Sequence, residues 1–371
     1  MQLHTIWFII IAVFWIGFFV LEGFDFGVGM LHMVVGRSDT ERRVAINTIG
    51  PWWDGNEVWL IVAGASMFAA FPGWYATMFS AFYLALVLVL LALFGRGVSF
   101  EYRGKRDSAR WRGGWSWALT VGSVLIPLLI GVGLGDLLHG LPINSQHEFT
   151  GNFFDLLTGY GLMTGVTLLV LCLLQGATFL SLRTSGDIRD RASAAGRVIG
   201  GLAVLVNLAW IVWTLVVIGR GTVPEPTQIF GLIAVIFAAA LVTSRYSGWA
   251  FAASSFGIAA VIGQLFISLY PNVMVSSTNS AYNLTVNNAA SGHYALVVMT
   301  IVAVLLLPLV LLYQGWSFHV FHGRLSAPRA TPGAPIRPPS LGGAPAPSPA
   351  GGGLPSPGPG IAGGSSEAGS G

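Results

Sequence analysis

Long apolar segments separated by short polar loops make up most of this chain of 371 residues. We identify nine segments of roughly 20 to 30 residues, each long enough to cross a bilayer as a helix. They lie near 6–35, 52–71, 75–95, 115–138, 157–182, 197–219, 227–244, 247–270 and 293–321. The first exceeds the apolar region of a cleavable signal sequence, and no Lys or Arg precedes it. The pattern predicts an all-α polytopic membrane protein with about nine transmembrane helices.

Composition supports a membrane location. Hydrophobic residues make up 54% of the chain and charged residues only 9%, with a mean hydropathy of +0.72. Soluble domains carry roughly 25% charged residues, so this chain has too little charge to cover a globular surface. The net charge of +3 does not indicate nucleic-acid binding, because the basic residues are confined to a few loops. The one cysteine, Cys172, excludes a disulfide framework within the chain.

The basic residues predict how the helices are oriented. If nine spans alternate, 17 of the 18 Lys and Arg residues fall on one side, and only Arg220 falls on the other. The largest group of basic residues is predicted to lie in the loop after the third span and to begin with Arg96. The positive-inside rule then predicts an outer N-terminus and a cytoplasmic C-terminus.

Two regions differ in character. Residues 1–325 are predicted to form the transmembrane helical domain. Residues 326–371 are dominated by Pro, Gly, Ala and Ser. A segment with so few apolar residues cannot bury a core, so it is predicted to be a disordered cytoplasmic tail.

Four carboxylates lie within the first two apolar segments. Glu22 and Asp25 belong to LEGFDFGVGM, whereas Asp54 and Glu57 belong to PWWDGNEVWL. A carboxylate at bilayer depth costs several kcal/mol and is therefore a functional hypothesis by default. The i, i+3 spacing of each pair places both acids on one helix face. These four residues are predicted to transfer protons.

Two interpretations remain open for the second pair. Asp54 and Glu57 follow Pro51 at the start of a helix, where free N–H groups and the helix dipole favour acids. Asp25 is in mid-helix, where capping gives no explanation, and it is expected ~6–8 Å past the midplane toward the cytoplasm. We therefore predict a route from Asp54 to Asp25 and on to a partner, although a structural hydrogen bond is the alternative.

The histidines do not predict a haem site. All seven fall near span ends or in loops, and none faces a second histidine or methionine at mid-membrane. No metal ligand and no catalytic residue is predicted in this chain. The histidines are His4, His32, His139, His147, His293, His319 and His322.

Several motifs resemble subunit II of the cytochrome bd quinol oxidases. LEGFDFGVGM and DTERRVAINTIGPWWDGNEVWLIVAGASMFAAFP are similar to the N-terminal signature of that family. GNFFDLLTGYGL, QGATFLSLRT and VLLLPLVLLYQGW follow in the family's order, so the resemblance covers about residues 1–325. Glu22 stands where family members often have Asp.

The resemblance implies two four-helix bundles plus one peripheral helix, in the inner membrane of a bacterium. It also implies a partner, subunit I, that holds two b-type haems and one d-type haem, oxidises quinol and reduces dioxygen to water. This chain would be the subunit that ligates no haem and offers a cytoplasmic proton route. A small accessory subunit is left open.

Two other classes of function remain. The chain could be a purely structural partner that shields the haems from lipid. It could also be a cation-coupled transporter whose paired acids bind the cation, although the two halves of the sequence lack an obvious broken-helix repeat.

Overall fold

The computed structural model describes residues 2–219 and 223–326. Helices dominate the described residues: α1 Leu3–Val35, α2 Asp39–Asn47, α3 Trp53–Ala70, α4 Pro72–Ala81, α5 Tyr83–Tyr102, α6 Ala109–His139, α7 Gly159–Arg183, α8 Asp187–Ile218, α9 Pro226–Leu241, α10 Ser247–Leu269 and α11 His293–Val320. Short 3₁₀ helices lie at Phe153–Leu156 and Ser280–Tyr282. Strands β1 (Asn272–Met274) and β2 (Leu284–Thr285) form a small antiparallel ladder. The all-α membrane class is confirmed.

A helix lies at each predicted span within the described residues, and seven of these helices are long and apolar enough to cross a membrane. The other two, α3 and α9, are shorter or more polar, so the number of crossings and their direction stay predictions. The predicted third span, 75–95, is wrong at both ends, because α4 ends at Ala81 and α5 runs on to Tyr102. Arg220 and the predicted tail beyond 326 lie outside the described residues.

Nine of the eleven described helices pack as two groups of four with one helix at the side, and the short helices α2 and α4 connect members of these groups. In the first group α1 packs against α3 and α6, and α6 packs against α5. In the second group α7, α8, α9 and α10 contact one another in a ring. Helix α11 lies along α3 and α1, and Leu296 is its one buried residue in the described structure. This packing is consistent with the arrangement that the family resemblance implied, whose helix count and topology stay predictions.

The two groups meet where glycines let helix backbones approach. A Cβ atom on Gly27 of α1 would lie 2.1 Å from the carbonyl oxygen of Cys172, and one on Gly176 of α7 would lie 2.4 Å from Gly27 Cα. Only residues without a side chain fit there, as is common at membrane helix interfaces. This contact fixes α1, which carries the first pair of acids, against the second group.

Helix α2 ties the two groups together at one end. Ser38 and Glu41 form a capping box at its N-terminus, which satisfies free backbone N–H groups. Asp39 Oδ1 lies 2.5 Å from Arg103 Nη2 just after α5, and Glu41 Oε1 lies 2.7 Å from Arg191 Nη2 in α8. The short helix therefore contacts both groups through ion pairs.

Candidate functional site

The first pair of acids lies deep inside the protein. Glu22 and Asp25 are both fully buried on α1, and one helical turn separates them. The i, i+3 spacing predicted this shared face. Since a buried charge needs a compensating partner, the residues around the pair decide what it can do.

Arg96 of α5 supplies the nearest positive charge, and it is also fully buried. Its Nη2 atom lies 2.6 Å from Glu22 Oε1, and its Nη1 atom lies 2.5 Å from Glu57 Oε1. The rings of Phe26 and Phe100 flank the guanidinium, with centroids 5.0 and 5.4 Å from Cζ. One side chain thus joins α1, α3 and α5.

The prediction that Arg96 begins a basic loop was wrong. Arg96 lies inside α5 because Glu22 and Glu57 compensate its charge, and the helix continues past it for two turns. The acids within the apolar segments require a cation nearby, but the sequence does not show which basic residue supplies it. Glu57 contacts Arg96 and is 22% exposed, so its main contact is this ion pair rather than a helix cap.

Asp25 is held by a row of amide groups that the sequence did not reveal. Trp59 Nε1 donates to Gln314 Oε1 at 2.9 Å, and Gln314 Nε2 donates to Asn56 Oδ1 at 3.0 Å. Asn56 Nδ2 then donates to Asp25 Oδ2 at 2.7 Å and to the Leu21 carbonyl at 2.9 Å. An indole N–H can only donate, so it fixes the orientation of both amides and directs an N–H group at Asp25.

The other oxygen of Asp25, Oδ1, is buried and has no hydrogen-bond partner among the described residues. Arg96 does not approach Asp25 within ion-pair distance there. Glu22 Oε2 likewise has no hydrogen-bond partner there, so Asp25 differs from Glu22 and Glu57 in having no direct counter-ion in the described structure. That combination suits a group that gains and loses a proton.

Asp54 lies apart from this cluster. It is exposed in the first turn of α3, and its Oδ1 accepts the backbone N–H of Gly55 at 2.8 Å. Asp54, Asn56, Trp59 and Gln314 all line a groove of about 730 Å³ between α3 and α11. The predicted route from Asp54 to Asp25 stays a prediction, and Asn56 stands between the groove and Asp25.

Charge balance limits the states that this cluster can adopt. Glu22, Asp25 and Glu57 bring three carboxyl groups, and Arg96 brings one guanidinium. Burying an uncompensated charge is costly, so neutrality requires bound protons or cations from outside the chain. The arrangement is thus able to hold exchangeable protons.

Comparison with known proteins identifies the family. The family described as cytochrome bd terminal oxidase subunit II matches residues 3–321. Cytochrome bd ubiquinol oxidase subunit 2 of Bacillus subtilis is 45% identical over 329 residues, which cover 88% of this chain and 97% of that protein. Cytochrome bd-I ubiquinol oxidase subunit 2 of Escherichia coli is 40% identical, with coverages of 87% and 95%.

The chain belongs to the subunit II family of cytochrome bd oxidases. A chain of the bd oxidase structure from Geobacillus thermodenitrificans superposes with a TM-score of 0.67 over 86% of this chain and 99% of that chain, and at 17% identity this likeness concerns the fold alone. Membership makes the protein a multi-pass subunit of a bacterial inner-membrane oxidoreductase complex. Such a complex uses haem and quinol and contains a partner subunit I.

The candidate metal ligands of this subunit II chain are dispersed among the described residues. No three His, Cys, Asp or Glu side chains of the described residues come together as metal ligands. His32 is buried and its Nδ1 contacts the Gly29 carbonyl at 2.7 Å, within its own helix. The expectation that the partner ligates the haems stays a prediction.

Proposed function

We propose that this chain is the subunit of a cytochrome bd quinol oxidase that ligates no haem and supplies protons from the cytoplasm for the reduction of dioxygen to water. The partner subunit I would hold two b-type haems and one d-type haem and would oxidise quinol. The observation that carries the proposal is Asp25, a buried acid with one oxygen free and the other held by Asn56.

The route begins at the groove between α3 and α11. Asp54 at its exposed end attracts protons from solution, and Asn56 and Gln314 offer polar atoms along its wall. Asp25 lies directly behind Asn56, so this one side chain separates Asp25 from the protons of the groove. Asp25 would pass it to the partner subunit. Glu22 and Glu57 balance the charge of Arg96 and assist by keeping the cluster near neutrality.

Replacing Asp25 by Asn tests the route. Asp25→Asn keeps the size of the side chain and its ability to form hydrogen bonds, but the amide cannot ionise. Turnover of the purified complex, measured as oxygen consumption with quinol, should fall strongly while the haem spectrum stays normal. The defect should deepen in alkaline buffer, because the supply of protons from solution falls.

Asp136 offers a matched control for this test. It is also a fully buried aspartate, but it lies near the end of α6 and accepts a hydrogen bond from Thr158 at 2.5 Å, away from the cluster. Asp136→Asn should leave turnover and its pH profile unchanged. Unchanged turnover across pH in the Asp25→Asn complex would contradict the proton route.

A purely structural role is the second candidate, and the Arg96 ion pairs favour it for Glu22 and Glu57. If the cluster only joins helices, Glu57→Gln should impair assembly, whereas Asp25→Asn should leave turnover intact. Asp54→Asn separates the candidates further, since the proton route predicts a mild loss of turnover that water at the groove partly compensates.

A further inference from the structure

The segment between α5 and α6, together with the first turn of α6, carries a concentration of positive charge that the proton route does not use. Its five basic residues are Arg103, Lys105, Arg106, Arg110 and Arg112. Arg103 pairs with Asp39, and Arg112 lies 3.4 Å from both Asp39 and Asp107. These two arginines therefore serve the fold.

The remaining three basic residues point outward. Lys105, Arg106 and Arg110 are exposed and form no ion pair with the described residues. The exposed Glu101 also lacks an ion pair in the described structure, so the surface keeps an excess of two positive charges. An anion is the ligand that this excess favours.

Three aromatic side chains hold one of these basic residues, Arg106, in a fixed orientation. Trp111 Nε1 donates to the Tyr102 carbonyl at 2.7 Å, and the Trp115 ring centroid lies 5.7 Å from the centroids of both Tyr102 and Trp111. The Arg106 guanidinium lies over Trp111, with Cζ 4.5 Å from the ring centroid. Stacking leaves the N–H groups at the edge of a guanidinium free for a phosphate.

An apolar track leads to the same place. Phe94, Val98 and Tyr102 follow one another at i, i+4 along α5, and all three are exposed. Side chains at this spacing lie on one helix face. A ligand bound here thus meets positive charge at one end and an apolar stripe along the helix. These two features complement the anionic headgroup and the acyl chains of a phospholipid. Tryptophan and basic residues together are also typical of the membrane interface.

We infer that Lys105, Arg106 and Arg110, with Tyr102, Trp111 and Trp115, form a binding site for the headgroup of an anionic phospholipid. We call these six residues the basic-aromatic patch. Its predicted cytoplasmic position is on the leaflet where anionic lipids concentrate. The site is independent of the proton route, because none of its residues contacts the buried acids.

Lipid binding can be measured on the purified complex. The delipidated complex is titrated with phosphatidylglycerol or phosphatidylcholine, and bound lipids are counted by native mass spectrometry. The parent should prefer phosphatidylglycerol, and inorganic phosphate should not displace it. Each Lys or Arg near an anionic membrane surface increases the binding affinity about fivefold. The variant K105Q/R106Q/R110Q should therefore lose about a hundredfold in affinity for phosphatidylglycerol.

A matched variant controls for total charge. R37Q/R43Q/R197Q also removes three exposed basic residues whose side chains form no hydrogen bond in the described structure, and it should bind as the parent does. Equal loss in both variants, or displacement by inorganic phosphate, would overturn the proposal. So would a K105Q/R106Q/R110Q complex that loses the partner subunit but keeps its preference for phosphatidylglycerol, because the surface would then bind protein.

Discussion

The two four-helix groups are held together internally by different interactions. The first group consists of α1, α3, α5 and α6. It contains all the buried carboxylates of the described residues, namely Glu22, Asp25 and Asp136, together with the buried Arg96. The second group is joined mainly by neutral contacts, such as Thr178 to Ser254 at 3.1 Å and Gln175 to Ser255 at 2.8 Å. Neutral hydrogen bonds suffice to pack membrane helices, so the buried acids around Arg96 require a functional explanation.

The largest expected effect follows from removing the cation of the first group. Arg96→Gln leaves Glu22 and Glu57 without their shared partner, and breaking a buried ion pair costs about 3–5 kcal/mol. We expect little assembled complex and a lower unfolding temperature, measured by size-exclusion chromatography and thermal denaturation.

The double variant E22Q/R96Q controls for this loss, because it removes one charge of each sign and should recover much of the assembly. Normal thermal stability in Arg96→Gln alone would show that the ion pairs do not hold the first group together.

A smaller loss of stability is expected from a substitution at the contact between the two groups of helices. Gly176→Ala places a Cβ atom 2.3 Å from the Gly27 carbonyl carbon, and overpacking of this kind costs about 1–3 kcal/mol. Thermal denaturation of the complex measures the loss. Gly201→Ala on α8, where a Cβ meets nothing within 4 Å, is the control and should be neutral or slightly stabilising. Equal stability of the two variants would mean that α1 and α7 separate easily.

The neutral hydrogen bonds of the second group should each matter little. Thr178→Val removes the hydroxyl that contacts Ser254, at a cost of roughly 0.6 kcal/mol. Turnover and its pH profile should match those of the parent in an oxygen-consumption assay. A shifted pH profile would indicate that the second group also takes part in proton transfer.

The smallest effect concerns α2, which bridges the groups. The hydrogen bond from Arg191 lowers the pKa of Glu41 below its ordinary value. Because this pKa is lower in the folded chain, the stabilisation is fully present above the unfolded pKa and is lost as pH falls through the folded pKa. Glu41→Gln preserves the capping box and should cost roughly a few tenths of a kcal/mol at neutral pH. Thermal unfolding in acidic buffer should show no difference, and a constant difference across pH would contradict the assignment.

The sequence predictions that the structure confirmed rest on local periodicity. The apolar segments located the helices, and the i, i+3 spacing placed Glu22 and Asp25 on one face. Arg96 was misplaced because hydropathy ends a span at the first charge, whereas an ion pair lets the helix carry that charge inside. Nothing near Arg96 in the sequence identifies Glu22 as its partner.

The amide row around Asp25 was missed for a different reason. Asn56 and Gln314 are neutral and are separated by most of the chain, so no local pattern joins them. Only the packing of α11 against α3 brings them within hydrogen-bond distance. Spacing along a helix likewise could not show that Asn56 stands between the groove and Asp25.

The position of Arg96 on α5 has a consequence for biosynthesis. Helix α1 enters the membrane first with Glu22 and Asp25, and each acid adds about 2.5–3.5 kcal/mol to its insertion free energy. The compensating guanidinium leaves the ribosome only with α5, and Gln314 arrives last with α11. Until then the surrounding apolar residues of α1 must keep it inserted. The site is therefore assembled in the order of translation, and its last hydrogen bond closes only when the final helix docks.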